Sequence, residues 1–371
     1  MKITGGAVFD LNSGFVPRDV CFEGAVISPS SCDGETYDAS GCYVIPGLTD
    51  VHFHGCKGAD FSDGDPDGLA LMAEYELSRG VTQICPAGMT LSEDQLLKIC
   101  QVAAEHRKAG RPGAELAGVN LEGPFLSEAK KGAQNGAWLR LPDVEMLKRL
   151  VAASEGLVKL VSVAPELPGA LDFVREASKE VTVAIAHTTA DYDTATAALD
   201  AGAREITHLF NAMPPFTHRA PGVVGAAADF PACRVELICD GIHIHPAVVR
   251  AVFKLFGPNR VVLISDSIRG AGMPDGQYTL GGQDVTVRGA LATLADGTIA
   301  GSVTDLMSCM RKAVSFGIPL ADAVRAAAVN PAQAIGIFDR VGSLDVGKQA
   351  NAVVLDKDLE LKAVFFNGMP V

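Results

Sequence analysis

Pro46-Gly-Leu-Thr-Asp-Val-His-Phe-His-Gly55 is an apolar run that ends in two histidines one residue apart. Residues two apart on a β-strand point to the same side, so His52 and His54 can reach one metal ion where the strand stops. A His-x-His pair alone is common, and the meaning comes from other polar residues placed in the same way. Glu122 closes Glu-Leu-Ala-Gly-Val-Asn-Leu-Glu, His187 closes Val-Thr-Val-Ala-Ile-Ala-His, and His208 follows Arg-Glu-Ile-Thr. Asp240 and His243 follow Arg-Val-Glu-Leu-Ile-Cys, and Asp266 closes Arg-Val-Val-Leu-Ile-Ser-Asp. Five of the eight histidines therefore sit at the ends of β-rich runs. A βα-barrel gathers its catalytic side chains at such strand ends.

Outward from this stretch, β-rich runs begin near Val44, Val81, Leu116, Leu157, Val181, Glu205, Val235 and Val261. They alternate with helical patterns at Leu69 to Arg79, Asp191 to Ala203 and Pro246 to Phe256, as βα units do. Eight runs match a closed parallel (β/α)8 barrel of the TIM type. Residues 277–300 carry Gly281-Gly282 and Asp296-Gly297 turn signals between short β-type runs, the pattern of a hairpin insert. Helical patterns return at Thr304 to Phe316 and Leu320 to Gly336. Residues 1–43 and 340–371 are both β-rich, and the simplest packing joins them in one small β-domain beside a barrel of residues 44–339.

The chain has 371 residues, 48% hydrophobic and 20% charged, with 39 glycines, which describes a globular protein with ample core and many tight loops. Its nine cysteines are scattered, with no Cys-x-x-Cys pair, and read as buried thiols in a reducing, cytoplasmic compartment. No apolar run approaches a membrane-spanning length, and no basic-then-apolar leader opens the chain. A net charge of −13 argues against nucleic acid or an anionic membrane as partner. It leaves room for a phosphorylated small molecule, which needs only one or two cations and some backbone N–H groups.

A hydrolytic metal site needs ligands that leave one position open for water, whose pKa falls to about 7 on zinc. Glu122, His187 and His208 form a three-ligand set, and His52 with His54 could hold a second ion. Asp266 is the candidate general base, although an Asp after an apolar run is as readily a helix N-cap. Asp50 is read as a partner orienting His52. His106 reads as a solvated helix residue and His245 as the start of a helix. His218 stands beside Arg219 in the Pro-rich loop that runs from Asn211 to Gly222. That loop offers backbone N–H groups and a guanidinium for a phosphate; taken alone, it reads rather as an ordinary surface loop with one salt-bridged Arg.

Taken together, five motifs resemble the N-acetylglucosamine-6-phosphate deacetylases of the amidohydrolase superfamily. They are Pro-Gly-x-x-Asp-x-His-x-His-Gly, Leu-Glu-Gly-Pro-Phe, Thr-His-Leu-Phe-Asn-Ala-Met, Asp-Gly-Ile-His and Ser-Asp-Ser, in this order. Pro-Asp-Gly-Gln-Tyr-x-Leu-Gly-Gly from 274, Ile-Ala-Gly-Ser from 299 and the closing Gly-x-Leu-x-x-Gly-Lys-x-Ala-Asn-Ala-Val-Val extend the likeness over essentially the whole chain. The resemblance implies a metal-dependent barrel, a β-sandwich built from both termini and a homodimer. It also implies hydrolysis of the acetamide of N-acetylglucosamine 6-phosphate in amino-sugar catabolism. Glu122, His187 and His208 would hold the main metal, and Asp266 would be the acid/base. Ala133, Asn211, Ala212, Arg219, His243 and the strip Ile299, Ala300 and Gly301 would line the sugar-phosphate site, with Asp240 and Gln134 beside them. Arg219 would reach the partner subunit's site.

Some members of that family lack the first-strand histidine pair and use one metal; both histidines here imply a chain able to hold one or two divalent ions, zinc first, with iron, cobalt or manganese also suited to these ligands. Gln134 stands where many relatives have a histidine, so its neutral amide can donate a hydrogen bond but cannot become cationic. Alternative readings are a deacetylase for the galactosamine epimer, a cyclic amidohydrolase such as a dihydroorotase, and a catalytically silent sugar-phosphate sensor. The cyclic-amide enzymes would call for a lysine at a barrel strand end, and none is found.

Overall fold

Between residues 48 and 264, eight short parallel strands alternate with helices in the computed structural model, which describes residues 1–29 and 34–371. The strands are β1 (Leu48–Asp50), β2 (Val81–Ile84), β3 (Val119–Phe125), β4 (Val158–Val163), β5 (Thr182–Ile185), β6 (Glu205–Ile206), β7 (Arg234–Ile238) and β8 (Val261–Ile264). Each pairs in parallel with the next, β2 reaching β3 through the continuations Ala87–Gly88 and Glu115–Leu116. The sheet curls, and the segment that follows its last strand is hydrogen-bonded to the segment that follows its first. Asp266 N–H donates to His52 O at 2.9 Å and His54 N–H to Ser267 O at 2.7 Å.

Alternation along the strands sorts their side chains into two cores. Val261 and Leu263 of β8 join the large apolar cluster under the helices, whereas Val262 and Ile264 join a second cluster with Val51, Leu160 and Ile238. Ala332, Ile335, Ile337 and Val341 from the C-terminal segment complete this second cluster. Period-2 alternation between two apolar environments explains why these strands read as continuous hydrophobic runs.

Helix boundaries follow local chemistry. Glu93–Ala109 starts at a Ser92/Gln95 capping box and stops at Gly110, whose φ of 57° is left-handed. The expected helices appear as Pro66–Ser78, Tyr192–Ala201 and Pro246–Phe256, the last capped by His245 as anticipated. Leu306–Ser315 also forms, and the run from Leu320 to Ala334 is helical with a wider π-type turn at Arg325–Val329. His106 corrects its sequence reading: it is 6% exposed, and burial lowers its pKa. The polar look of its neighbours concealed which face the helix packs inward.

The first β-run divides. Tyr43–Pro46 pairs antiparallel with Ala352–Leu355, and only after Gly47 does the chain enter β1. A Cβ at Gly47 would lie 2.0 Å from Thr82 Oγ1, so the crossing between sheets requires glycine. Tyr43–Pro46 lies in a six-stranded sheet with Ala7–Asp10, Gly14–Pro17 and the C-terminal strands. A four-stranded sheet contains Lys2–Thr4, Val20–Glu23, Val26–Ser28 and Thr36–Asp38. Val8, Phe22, Val44, Val354 and Phe365 pack together between strands of both chain ends. Residues 276–293 form three antiparallel strands, one more than a hairpin. Cys42, Cys56, Cys85, Cys100, Cys233, Cys239 and Cys309 are free thiols, all but Cys42 buried; Cys21 is buried as well, and Cys32 lies outside the described residues.

Candidate metal centre

Strand ends bring the expected metal-type residues together. His52 and His54 follow β1, Glu122 lies in β3, His187 follows β5, His208 follows β6 and Asp266 follows β8. His187, His208 and Asp266 have φ values of 43°, 28° and 48°, a left-handed region uncommon outside glycine. Strained backbone of this kind is held by its surroundings and clusters at functional sites.

Glu122 Oε1 lies 3.1 Å from His187 Nε2 and 3.0 Å from His208 Nε2, and the two nitrogens are 3.1 Å apart. His54 Nε2 is 3.3 Å from Glu122 Oε2 and 3.2 Å from Asp266 Oδ1. Two sets of potential ligands result, Glu122/His187/His208 and His52/His54/Asp266, all buried, with ligand atoms in each set within 4.8 Å of one another.

The outer nitrogens are held by oxygens that only accept. His52 Nδ1–H donates to Glu236 Oε2 at 2.9 Å, His54 Nδ1–H to Ala87 O at 3.1 Å, and His187 Nδ1–H to Lys130 O at 2.8 Å. Each bond leaves Nε2 as a lone-pair donor facing the centre. His52 Nε2 is buried without a hydrogen-bond partner among the described residues, 3.6 Å from Glu122 Oε1 and 3.8 Å from Asp266 Oδ1. Asp50 accepts from the His52 backbone N–H and does not touch the ring, so the orienting role expected of Asp50 falls to Glu236.

Burial would raise the carboxyls, but the charge of His52 and hydrogen bonds from His187 and His208 hold Glu122 well below the usual carboxylate range. Asp266 is also held low, burial being outweighed by the His54 hydrogen bond and the charge of His52. In turn, burial would lower the imidazoles, yet Glu236 and Glu122 raise His52 well above its ordinary value, and Asp266 and Glu122 raise His54 to about 10. Carboxylates that draw protons onto buried imidazoles mark a centre short of positive charge. A divalent cation on the inward Nε2 atoms would replace those protons, so the residues fit a metal.

Above this floor lies a cavity of 410 Å³. Its walls include Ala133, Gln134, Asn211, Ala212, His243, Ile299 and Gly301. Gln134 donates to Glu122 Oε2 at 2.6 Å and accepts from Thr90 N–H at 2.7 Å, which fixes it against the floor. Asp240 accepts from His243 Nδ1–H at 2.8 Å, so His243 presents Nε2. Asp240 itself stands behind His243, away from the lining. Gly301, at φ 59°, supports Asp266: a Cβ there would lie 2.6 Å from Ile268 Cγ2 and 2.9 Å from Asp266 O.

Besides Asp240, two expected residues do not face this cavity. Ala300 is buried and donates its N–H to Ala292 O, and Arg219 is exposed in a separate cleft of 710 Å³ with Asp191 and Tyr192. Sequence reasoning missed Lys130, a cation in the lining, and Glu236. A glutamate inside the apolar run Arg-Val-Glu-Leu-Ile was the available signal for Glu236.

The pattern of the amidohydrolase family matches residues 43–371. An N-acetylglucosamine-6-phosphate deacetylase of Bacillus subtilis (strain 168) is 39% identical over 330 residues, 88% of this chain and 83% of that one. An N-acetylgalactosamine-6-phosphate deacetylase of Escherichia coli O157:H7 is 35% identical over 88% of this chain and 86% of its own. Among solved structures, a point variant of N-acetyl-D-glucosamine-6-phosphate deacetylase from Mycobacterium smegmatis, in complex with N-acetyl-D-glucosamine-6-phosphate, superposes with a TM-score of 0.93 at 34% identity, covering 100% of this chain and 98% of that one. The chain belongs to the amidohydrolase family.

Proposed function

We propose that this protein is a metal-dependent deacetylase that hydrolyses N-acetyl-D-glucosamine 6-phosphate to glucosamine 6-phosphate and acetate. The observation that carries this reading is the convergence of two ligand sets on the floor of one cavity, in a chain whose relatives act on that sugar phosphate. Glu122, His187 and His208 would hold one ion, and His52 and His54, with Asp266, a second. Zinc is the first choice because imidazole and carboxylate ligands suit it. Such an ion supplies Lewis-acid polarisation of the acetyl carbonyl and acidifies the attacking water.

The chain's own residues do the rest. Asp266, whose carboxyl is held low, takes the proton of the attacking water and returns it to the sugar nitrogen as the C–N bond breaks. His243, oriented by Asp240, offers Nε2 to the substrate. Gln134 is committed to Glu122 and Thr90, which leaves it positioning the floor. Asn211 and the backbone at Ala212 face the cavity for the phosphate, and Arg219, exposed at the rim loop, completes that site across a homodimer interface.

The reading includes a closed (β/α)8 barrel that starts after Gly47 rather than at residue 44 and runs to about residue 339, supported by the hydrogen bonds between the β8 and β1 ends, and a β-sandwich built from both chain ends, supported by the six-stranded sheet that they share. No helix among the described residues is long and apolar enough to cross a membrane, and the free cysteines favour a cytoplasmic enzyme.

Acetate release from N-acetylglucosamine 6-phosphate, beside its unphosphorylated and galacto forms, tests the reading on samples of known metal content. Chelator-sensitive release that requires the 6-phosphate is expected. Preference for the galacto form would favour the second reading, motivated by the Escherichia coli relative; no release from any form by metal-loaded protein would refute both.

A further inference from the structure

Among the described residues, Glu236 is the one carboxylate that touches both ligand sets from behind. It lies in β7, on the same side of the strand as Ile238. Its Oε2 accepts from His52 Nδ1–H at 2.9 Å and from the His208 backbone N–H at 3.1 Å. His52 belongs to one set and His208 to the other. Glu236 is fully buried, and its Oε1 has no hydrogen-bond partner among the described residues.

We infer that Glu236 is a positioning residue that makes the His52/His54/Asp266 position able to hold a second ion. The inference rests on the two-ion reading above. A carboxylate can only accept, so its contact assigns the proton of His52 to Nδ1 and turns Nε2 inward as a ligand. Its negative charge makes that imidazole a stronger donor to a cation. The bond to His208 N–H holds the backbone at φ 28°, so one oxygen ties the ring of the second set to the strained residue of the first. Purely structural satisfaction of the His208 N–H would need no charge and no contact with His52.

The neighbouring Glu205 is an internal comparison. It is also fully buried, and neither of its carboxylate oxygens has a hydrogen-bond partner among the described residues. It touches neither ligand set. A generic effect of replacing a buried carboxyl beneath the floor would follow from either glutamate; a positioning role follows from Glu236 alone.

The test is zinc stoichiometry and affinity of the full-length protein and of Glu236→Gln, Glu236→Asp and Glu205→Gln, by metal analysis of zinc-titrated samples. The unsubstituted protein and Glu205→Gln are expected to hold two ions. Glu236→Gln should keep the ion of Glu122, His187 and His208 while affinity for the other falls about 10- to 100-fold, the usual effect of removing a carboxylate that orients a ligand histidine. Glu236→Asp should recover part of it.

Unchanged second-ion affinity in Glu236→Gln, or an equal loss in Glu205→Gln, would overturn the inference. A single ion in the unsubstituted protein would overturn it together with the two-ion reading, while acetate release would still decide the deacetylase reading separately. If Glu236→Gln does not fold, ¹⁵N NMR of the histidine-labelled, zinc-loaded unsubstituted protein decides the matter: His52 protonated on Nδ1 and bound through Nε2 is expected, and ligation through Nδ1 would overturn the inference.

Discussion

Asp266 and His106 show how differently one buried titratable group can serve. Asp266 faces the cavity, hydrogen-bonded to His54, in a backbone conformation that aims it at the floor. Asp266→Asn keeps the shape and removes the base, so turnover should fall roughly 10²- to 10⁴-fold while the Glu122 set retains its ion. Steady-state kinetics with metal analysis on one sample checks this. His106 does not line the cavity, and its Nδ1 is buried without a hydrogen-bond partner among the described residues. Burial depresses its folded pKa below 6.5, so near and below pH 6.5 the unfolded chain binds more protons than the folded one. Stability is therefore lost as pH falls through that range, with a slope of at most about 1.4 kcal/mol per pH unit from this one proton. Denaturant unfolding across pH 5 to 8 should show the slope, and His106→Gln should flatten it.

At the scale of elements, termini and strand ends carry separate duties. The helix Glu93–Ala109 depends on its capping box, and Ser92→Ala should cost about 1 kcal/mol in unfolding free energy without changing turnover. Gly301 is different because it serves the site. Its positive φ and the closeness of Ile268 and Asp266 mean that Gly301→Ala must push back the strip that carries Asp266. A loss of about 1–3 kcal/mol is expected, together with a lower kcat, and thermal melts beside kinetics would separate the two. Element type was legible in the residues wherever periodicity was strong, as in β8 and in Pro246–Phe256. The division at Gly47 was not, because the apolar run continues through it and only the approach of Thr82 forces the chain to change sheets.

Across the whole molecule, the centre joins segments from residue 52 to residue 266. A cation bound there ties distant parts of the chain, and its removal leaves carboxylates and inward imidazoles facing one another. Chelation should lower the melting temperature and metal return should restore it, with a stabilisation of about 4 kcal/mol at a thousandfold excess over Kd. Scanning calorimetry with and without chelator would measure it. That Glu122, His187, His208, His52, His54 and Asp266 belong together was already determined by the residues alone, because placement at the end of an apolar strand is a local property. Which strands are neighbours is not local. Only the tertiary structure decided that Glu236 of β7 stands behind His52 of β1, that Arg219 lies outside this chain's own cavity, and that the helix bearing His106 turns that residue inward. Each of these depends on contacts between residues far apart in sequence, which no periodicity within a single run can encode.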